Sequence, residues 1–182
     1  SSTNKRSVFY TPHGYSFLVD DTNKIQIKMY RFFEYLAAKR NSITIACSLG
    51  EKQIALSLSS KVEHVDNGLD LVALKDMELH NQQSSNIYIN GRIMHQKNPI
   101  LLNEIAKELP EVNFKWIGDG NMRPFLTSSN IQITGWKSEQ EVFQEIVGYD
   151  IFLLTSLWEG LPISLLEAMY MKKICIVSGV VG

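Results

Sequence analysis

The chain has 182 residues, of which 45% are hydrophobic and 20% are charged, and 18 Lys+Arg against 19 Asp+Glu leave a formal net charge of -1. This length suits one full domain or two small ones. The near-neutral charge argues against a nucleic-acid partner, because such binding depends on a basic excess. Charged residues interrupt the longest apolar stretches, so no run reaches the ~20 uncharged residues of a membrane span. Cys47 and Cys175 form no CxxC motif, and we expect a reducing, cytoplasmic setting.

In the first half, short apolar runs alternate with longer segments of helical period, which is typical of βα units around a parallel sheet. Strands are predicted at residues 8–10, 43–47 and 61–65, with helices that begin at a Thr22 cap and that cover 51–58. In the first helix, apolar residues recur at Ile25, Met29, Phe32, Phe33 and Leu36. We predict that this helix, with Tyr30 and Tyr35, packs against a core. The polar residues 81–85 predict a linker.

The second half repeats the same alternation. Strands are predicted at residues 86–90, 112–117, 131–133, 151–154 and 174–177. Asn98 and Pro99 form a good helix start, since the missing NH of proline is harmless at the first helical position. Ser138 and Glu141 fit a capping box for a second helix, and Pro162 opens a third that runs to residue 171. The sequence therefore predicts an α/β fold with two parts, residues 1–85 and 86–182.

The strongest chemical signal is a pair of carboxylates, Glu159 and Glu167, around a strand-to-helix junction. If both face the carboxyl edge of the sheet, they lie where open α/β sheets bind ligands. The unpaired NH groups of the first helical turn, at Ile163, Ser164 and Leu165, form an anion site there. A carboxylate also accepts two hydrogen bonds from a vicinal diol, as in a sugar or ribose. The alternative is that Glu159 is solvated and that Glu167 only favours an early helical turn.

A second cluster follows the first strand of the second half, where Gly91 and Arg92 precede Lys97. Arginine can bind a phosphate with two parallel hydrogen bonds, and lysine acts as a point charge. Taken alone, such a segment is more often a solvated loop. His13 follows the first strand, but a single histidine is only a weak sign of a functional site, because a structural role is at least as common. Trp136 and Lys137 could border a planar base, although an aromatic residue there more often packs.

In their order along the chain, these motifs resemble those of glycosyltransferase family 4, a large group of retaining enzymes with the GT-B fold, and especially its capsule and exopolysaccharide members. The residues that carry the resemblance are Gly91–Arg92 with Lys97, 116–120, 133–136 and 155–168, together with 10–14 and 67–70. The resemblance implies a GT-B-like α/β chain: a partial N-terminal Rossmann-like half, followed by most of a C-terminal nucleotide-binding domain.

The resemblance also implies the roles of individual residues. Arg92 and Lys97 would neutralise the donor diphosphate, and Glu167 would hold the ribose. The backbone of residues 161–166, which includes Leu161 and Leu166, would donate NH groups to the sugar and phosphate. His13 and Glu159 would act at the donor sugar, and Trp136 and Lys137 would flank the base. The sequence has no Asp-x-Asp motif, so we expect neither a metal nor another cofactor.

The first hypothesis is therefore a hexosyltransferase that uses a UDP- or GDP-sugar and a polysaccharide or lipid-linked acceptor. Because family members are usually much longer, we expect a fragment or truncated homologue that binds nucleotide but transfers poorly. The missing acceptor domain would supply any peripheral contact with the inner membrane face. One alternative is a non-catalytic nucleotide-sugar-binding or interaction module on the same scaffold. A weaker one is a sugar-nucleotide epimerase.

Overall fold

A computed structural model of the chain describes residues 8–18, 23–38, 42–70 and 86–180. The chain divides into two compact units. The first consists of Ser1–Asn67, Trp158–Pro162 and Val180–Gly182, and the second of Gly68–Leu157 and Ile163–Gly179. The predicted Thr22 cap and the 81–85 linker lie outside the described residues. The boundary after residue 85 stays a prediction for the same reason.

The first unit contains a three-stranded parallel sheet. Its strands are β1 (Val8–Tyr10), β2 (Ser42–Ala46) and β3 (Val62–His64), its helices are α1 (Lys24–Ala38) and α2 (Leu49–Leu56), and a short 3-10 helix covers Ser16–Leu18. The order β1-β2-β3 is that of sequential βα units, so the predicted organisation of this half is confirmed. In the central strand, alternate residues are buried, as expected for a sheet covered mainly on one face.

Three of the four aromatic side chains of α1 are exposed, contrary to our expectation, while Tyr30 is half-buried. Phe32 is 56% exposed and Phe33 58%, and Tyr35 is exposed as well. No residue of this helix is buried within the described part of the chain. The core assignment of these three rings was therefore wrong. The physical reason is that helical periodicity identifies an apolar face, but it carries no information on whether another element covers that face.

The second unit is a five-stranded parallel sheet with the order β6-β5-β4-β7-β8. Its strands are β4 (Ile87–Asn90), β5 (Phe114–Ile117), β6 (Ile131–Ile133), β7 (Ile151–Leu154) and β8 (Ile174–Val177), and its α-helices are α3 (Pro99–Glu108), α4 (Glu139–Val147) and α5 (Ile163–Tyr170). Two 3-10 helices cover His95–Lys97 and Arg123–Phe125. All five predicted strands are present, shifted by at most two residues.

Helices cover both faces of this sheet, and each face has its own core. On one face, Tyr88 and Phe152 pack with Phe143 of α4 and Ala168 of α5. On the other face, the neighbouring strand residues pack with α3; this core includes Ile89, Phe114, Trp116, Leu102 and Ala106. Because successive strand residues point to opposite faces, a strand buried on both sides reads as a continuous apolar run. This explains why the sequence of β7 is Ile-Phe-Leu-Leu.

The helix starts follow the predicted chemistry. Asn98 caps α3 by accepting a hydrogen bond from the Leu101 NH at 3.3 Å, with Pro99 as the first helical residue. Ser138 and Glu141 form the predicted capping box of α4. Pro162 directly precedes α5. Among the helices of the described ranges, none combines the length and the apolar character that crossing a bilayer requires.

Candidate functional site

In the second unit, the candidate site lies at the carboxyl edge of the sheet between β4 and β7. The chain leaves β4 for α3 on one face and leaves β7 for α5 on the other face. In open α/β sheets, such a reversal is the switch point at which ligands bind. Arg92 and Lys97 follow β4, and Thr155 and Ser156 follow β7. The fold thus places the two predicted phosphate-binding cations beside the switch point.

Close backbone packing fixes the loop after β4. Gly91 has φ +137°, and its carbonyl oxygen accepts a hydrogen bond of 2.8 Å from the indole Nε1 of the buried Trp116. A Cβ built at Gly118 would lie only 2.2 Å from the same oxygen. A Cβ at Gly120 would lie 2.1 Å from the Ile93 carbonyl oxygen. Glycine at positions 118 and 120 therefore lets the loops after β4 and β5 touch, which holds the Arg92 segment in place.

Lys97 is anchored through its backbone to the end of β7. The hydroxyl of the buried Thr155 donates a hydrogen bond to the Lys97 carbonyl at 2.7 Å, and the Leu157 NH donates to the Gln96 carbonyl at 2.8 Å. The Lys97 Cε lies 3.4 Å from the position that a Cβ on Gly91 would occupy, so the side chain runs past the end of β4. Arg92, one residue beyond Gly91, is exposed. Both cations thus belong to the same stretch of the sheet edge.

Glu167 lies against the last residue of β4. The Asn90 Nδ2 is 3.5 Å from the Glu167 Oε2, at the limit of a hydrogen bond. Burial raises the pKa of the Glu167 carboxyl above its ordinary value, the negative charge of Glu139 adds to this, and the Asn90 contact opposes it. Asn90 directly precedes Gly91 and Arg92 in the chain. The carboxylate therefore lies at the end of the strand that the predicted cations follow.

The start of α5 adds donors at the same edge. The first turn of a helix carries NH groups that have no intrahelical partner, and here these belong to Ile163, Ser164 and Leu165. Ser156 is 2% exposed, and its hydroxyl has no hydrogen-bond partner within the described residues. A buried hydroxyl without a partner is costly unless a ligand or water satisfies it. Arginine, lysine, amide and hydroxyl donors, each of which can bind an anion, thus follow the two neighbouring strands at the switch point.

Trp136 and Lys137 follow β6, farther along the same edge. Trp136 is 64% exposed, which leaves its ring open to a ligand. The Lys137 Nζ lies 3.7 Å from a Glu141 oxygen and 3.9 Å from a Glu145 oxygen, both of which belong to α4. The lysine charge is thus partly engaged by the helix. The roles of these two residues at a base stay predictions.

In the first unit, a buried carboxylate joins the loops that follow β1 and β2. Glu51 is 2% exposed. Its Oε1 accepts a hydrogen bond from the Gly14 NH at 2.6 Å, and its Oε2 accepts one from the Cys47 NH at 2.7 Å. Burial raises the pKa of the Cys47 thiol to about 11, and a hydrogen bond and the negative charge of Glu51 add to this. The exposed His13, with φ +50°, is thereby held on a fixed loop.

Residues Trp158–Pro162, which carry Glu159, belong to this first unit. A Cβ built at Gly160 would lie 3.0 Å from the Cys47 Sγ and 3.3 Å from the His13 carbonyl carbon. The Asn67 Nδ2 donates a hydrogen bond to the Leu161 carbonyl at 2.6 Å. Glu159 itself is 8% exposed. The structure thus packs the segment of Glu159 against the His13 loop.

The sequence model of the glycosyl transferases group 1 matches residues 84–182. The chain belongs to this family. In the described part of this glycosyl transferase chain, no three His, Cys, Asp or Glu side chains are close enough together to hold a metal ion.

Two relatives of this glycosyl transferase align with almost all of the chain. It is 30% identical over 205 aligned positions to the UDP-Gal:alpha-D-GlcNAc-diphosphoundecaprenol alpha-1,3-galactosyltransferase of Escherichia coli, covering 96% of this chain and 52% of that protein. It is 29% identical to the "Uncharacterized 41.2 kDa protein in cps region" of Klebsiella pneumoniae, covering 90% of this chain and 50% of that protein. The chain spans about half the length of the curated relatives it matches.

A solved structure confirms the fold. The sucrose-phosphate synthase of Thermosynechococcus elongatus superposes with a TM-score of 0.76 at 12% identity, covering 94% of this chain and 50% of that one. This likeness concerns the fold alone. The predicted α/β, GT-B-like architecture of this glycosyl transferase chain is therefore confirmed.

Sequence reasoning missed several residues that shape the candidate site of this glycosyl transferase. Ser48 and Glu51 have the spacing of a capping box, so the sequence favours a local role for Glu51 and gives no sign of its bond to Gly14. Asn67, Thr155 and Ser156 enter the sequence interpretation only through the segments 67–70 and 155–168 that carry the family resemblance, which assigns them no contact of their own. The position of Ser156 directly after an apolar strand is a further signal that could have indicated it, since such positions reach the carboxyl edge of the sheet.

Proposed function

We propose that this chain forms part of a glycosyltransferase that moves a hexose, galactose in the first instance, from a UDP-sugar to a lipid-linked glycan acceptor. The 30% identical relative, named for UDP-Gal and a diphosphoundecaprenol-linked GlcNAc, supports this donor and acceptor. The relative in a cps region supports a role in surface polysaccharide synthesis. A lipid-linked acceptor agrees with a cytoplasmic protein that works peripherally at the inner membrane face.

The observation that supports the proposal is that groups able to bind an anion follow both strands at the switch point of the second unit. The Lys97 side chain runs past Gly91, which precedes Arg92. The start of α5 and the Ser156 hydroxyl, which has no hydrogen-bond partner among the described residues, follow the neighbouring strand. We assign the donor diphosphate to this set. Glu167, in contact with Asn90 at the end of the same strand, is assigned to the ribose hydroxyls. Trp136 is assigned to the base.

The proposed reaction retains the configuration of the sugar. An acceptor hydroxyl oxygen forms a bond to the anomeric carbon while the bond from that carbon to the β-phosphate oxygen breaks. The acceptor proton passes to the leaving phosphate on the same face. Fixed cations and helix NH groups stabilise the negative charge that develops on the diphosphate, and in this scheme they do so in place of a metal ion. His13 and Glu159 of the first unit are assigned to the donor sugar.

Titration calorimetry with UDP tests the diphosphate assignment. We expect wild-type protein to bind UDP and the Arg92→Ala variant to bind it about 10- to 100-fold more weakly, because a hydrogen bond to a charged group contributes about 1.5–3 kcal/mol. Lys107→Ala, an exposed change in the last turn of α3, is the matched control and should bind like wild type. Equal affinity in the two variants, or no binding at all, contradicts the proposal.

A product assay tests the reaction itself. The protein is incubated with UDP-galactose or GDP-mannose and with a lipid diphosphate-linked GlcNAc, and the lipid product is identified by mass spectrometry. We expect slow addition of one hexose with the UDP donor, because the chain spans about half the length of its curated relatives. UDP binding without any transfer would support the non-catalytic binding module instead, and a change in the donor sugar without an acceptor would indicate an epimerase.

A further inference from the structure

Glu51 is a charged group in an almost fully buried place. It is 2% exposed, and both of its oxygens accept hydrogen bonds from backbone NH groups, those of Gly14 and Cys47. A buried carboxylate is unfavourable unless such donors compensate for the lost water. The two bonds, at 2.6 and 2.7 Å, are in the short range of charge-assisted hydrogen bonds. Glu51 is therefore a fixed connection between two loops.

Its geometry differs from that of an ordinary helix cap. In a capping box, the third helical residue returns to the NH of the capping residue itself. Here Ser48 caps α2 by accepting a hydrogen bond from the Glu51 NH at 3.1 Å. The Glu51 carboxylate, however, reaches past Ser48 to Cys47 and, 37 residues away in the chain, to Gly14. Capping the helix alone does not need the second contact.

The segment that carries Glu159 packs against the same two loops that Glu51 connects. Position 160 packs against the backbone of His13 and Gly14 and against the Cys47 sulfur. The φ angles of +50° at His13 and +98° at Gly14 show that the loop turns sharply where Glu51 holds it. If the Gly14 bond is lost, both His13 and the surface that residues 158–162 rest on are free to shift.

We infer that Glu51 is a positioning residue for the transfer reaction, because its carboxylate holds the His13–Gly14 loop in the place that His13 and Glu159 need. This inference rests on the proposed function. Glu51 acts through the backbone and touches no reacting atom. Displacement of a catalytic group by about 1 Å can reduce a rate about 100-fold. We therefore expect loss of the Glu51 carboxylate to lower kcat.

The variant that isolates this role is Glu51→Gln. Glutamine has the same size but offers only one acceptor oxygen, so its amide NH2 must oppose one of the two backbone NH groups. Ser48→Ala is the matched control, since it removes the side-chain cap of the same helix and leaves the carboxylate intact. The two variants separate weakening of α2 from release of the loop.

Amide hydrogen exchange measured by NMR is the first readout. In Glu51→Gln, we expect the carbonyl oxygen to stay on the nearby Cys47 NH and the amide NH2 to oppose the distant Gly14 NH. The Gly14 NH should then exchange about 10-fold faster or more, as loss of a charge-assisted bond implies. The Val65 NH, bonded to the Ala46 carbonyl in the sheet, serves as the internal reference and should change little. Ser48→Ala should leave the Gly14 rate as in wild type. Equal Gly14 rates in all three proteins overturn the inference.

Steady-state kinetics is the second readout. We expect kcat of Glu51→Gln to fall about 100-fold while KM for UDP-galactose stays within a factor of about two, because the proposed diphosphate groups belong to the second unit. Ser48→Ala should keep its kcat. A wild-type kcat in Glu51→Gln, or an equal loss in both variants, overturns the positioning role.

The two readouts keep the inference distinct from the proposed function. If wild-type protein transfers no sugar, the proposed function fails, and Gly14 exchange alone then decides whether Glu51 holds the loop. If Glu51→Gln does not fold, Glu51→Asp replaces it. Its shorter side chain should keep the contact with nearby Cys47 and lose the one with Gly14, and wild-type Gly14 exchange in that variant counts against the inference.

Discussion

Gly118 occupies the point where the loops after β4 and β5 touch. Its φ of +139° is one that other residues rarely adopt, and a Cβ there would lie 2.2 Å from the Gly91 carbonyl oxygen. Overpacking costs about 1–3 kcal/mol and such a backbone conformation about as much again. We therefore expect Gly118→Ala to lower the free energy of unfolding by at least about 2 kcal/mol in urea titrations and to weaken UDP binding.

Gly148 provides the matched control for this glycine. It follows α4 with φ -79°, and a Cβ there meets nothing within 4 Å. Gly148→Ala should change stability by less than about 1 kcal/mol and could raise it, because alanine restricts the unfolded chain. Similar losses in the two variants would show that the close approach at Gly118 is unimportant.

At this scale, the sequence indicated which residue types lie at the strand ends, but not how they bond. Arg92, Lys97 and Glu167 could be selected because polar residues after apolar strands reach the carboxyl edge. The bond from Gly14 to Glu51 could not, because it joins residues 37 positions apart and depends on the loop conformation at His13. Local spacing favoured the capping box that Ser48 and Glu51 resemble.

At the scale of elements, α4 and α5 each present a carboxylate with a shifted pKa, and the two shifts have opposite signs. Burial and the charge of Glu139 raise the pKa of Glu167 above its ordinary value of 4.5. The contribution of the Glu167 carboxyl to the free energy of unfolding is complete below pH 4.5 and is lost as pH rises through the raised pKa. The reason is that this carboxyl releases its proton at lower pH in the unfolded chain than in the folded one. Glu167→Gln should therefore become more stable relative to wild type as pH rises from 4 to 7.

Glu141 serves as the internal comparison, since its bond from the Ser138 NH lowers the pKa of its carboxyl. That contribution is present above the ordinary value and is lost as pH falls through the lowered pKa. Glu141→Gln should thus lose stability relative to wild type as pH rises over the same range. Thermal unfolding of the three proteins at several pH values measures both trends. A parallel response of the two variants would contradict the assigned causes.

The elements themselves could largely be predicted, because parallel strands buried on both faces and capped helices leave strong local patterns. The elements that pack against each helix could not be predicted. The apolar residues of α1 recur with the same helical periodicity as those of α4. Helix α4 buries Phe143 and Ile146, yet α1 buries no residue within the described ranges. Periodicity shows that a helix has an apolar face, and only the tertiary structure shows what covers it.

For the whole chain, the order of the motifs was informative where any single motif was ambiguous. Gly91–Arg92 alone fits a solvated loop, and Glu159 with Glu167 alone fits a helix start. In sequence with the glycine-bounded strands, they indicate one family, and the family model matches residues 84–182. Whether the chain associates in solution depends instead on how apolar and charged residues are arranged on its surface, and the composition does not give that arrangement.

Two properties of the protein favour association: an exposed apolar stripe on α1 of the first unit, and a net charge close to zero. The stripe consists of Ile25, Met29, Phe32, Phe33 and Leu36, which are 72%, 45%, 56%, 58% and 43% exposed. Large exposed apolar patches favour association, and a net charge of -1 supplies little repulsion against it. We expect the mass measured by light scattering to rise with protein concentration at neutral pH.

Two lysines in the stripe should suppress this association. The double substitution Phe32→Lys and Phe33→Lys removes apolar area and adds charge at the same place, so the measured mass should stay near 20.7 kDa over the same concentrations. Phe125→Lys with Leu101→Lys adds the same charge on exposed positions of the second unit and serves as the control. In both variants the two added lysines change the net charge from -1 to +1, so the two proteins differ only in where apolar area is replaced. Equal suppression by the control would therefore show that the stripe does not govern association.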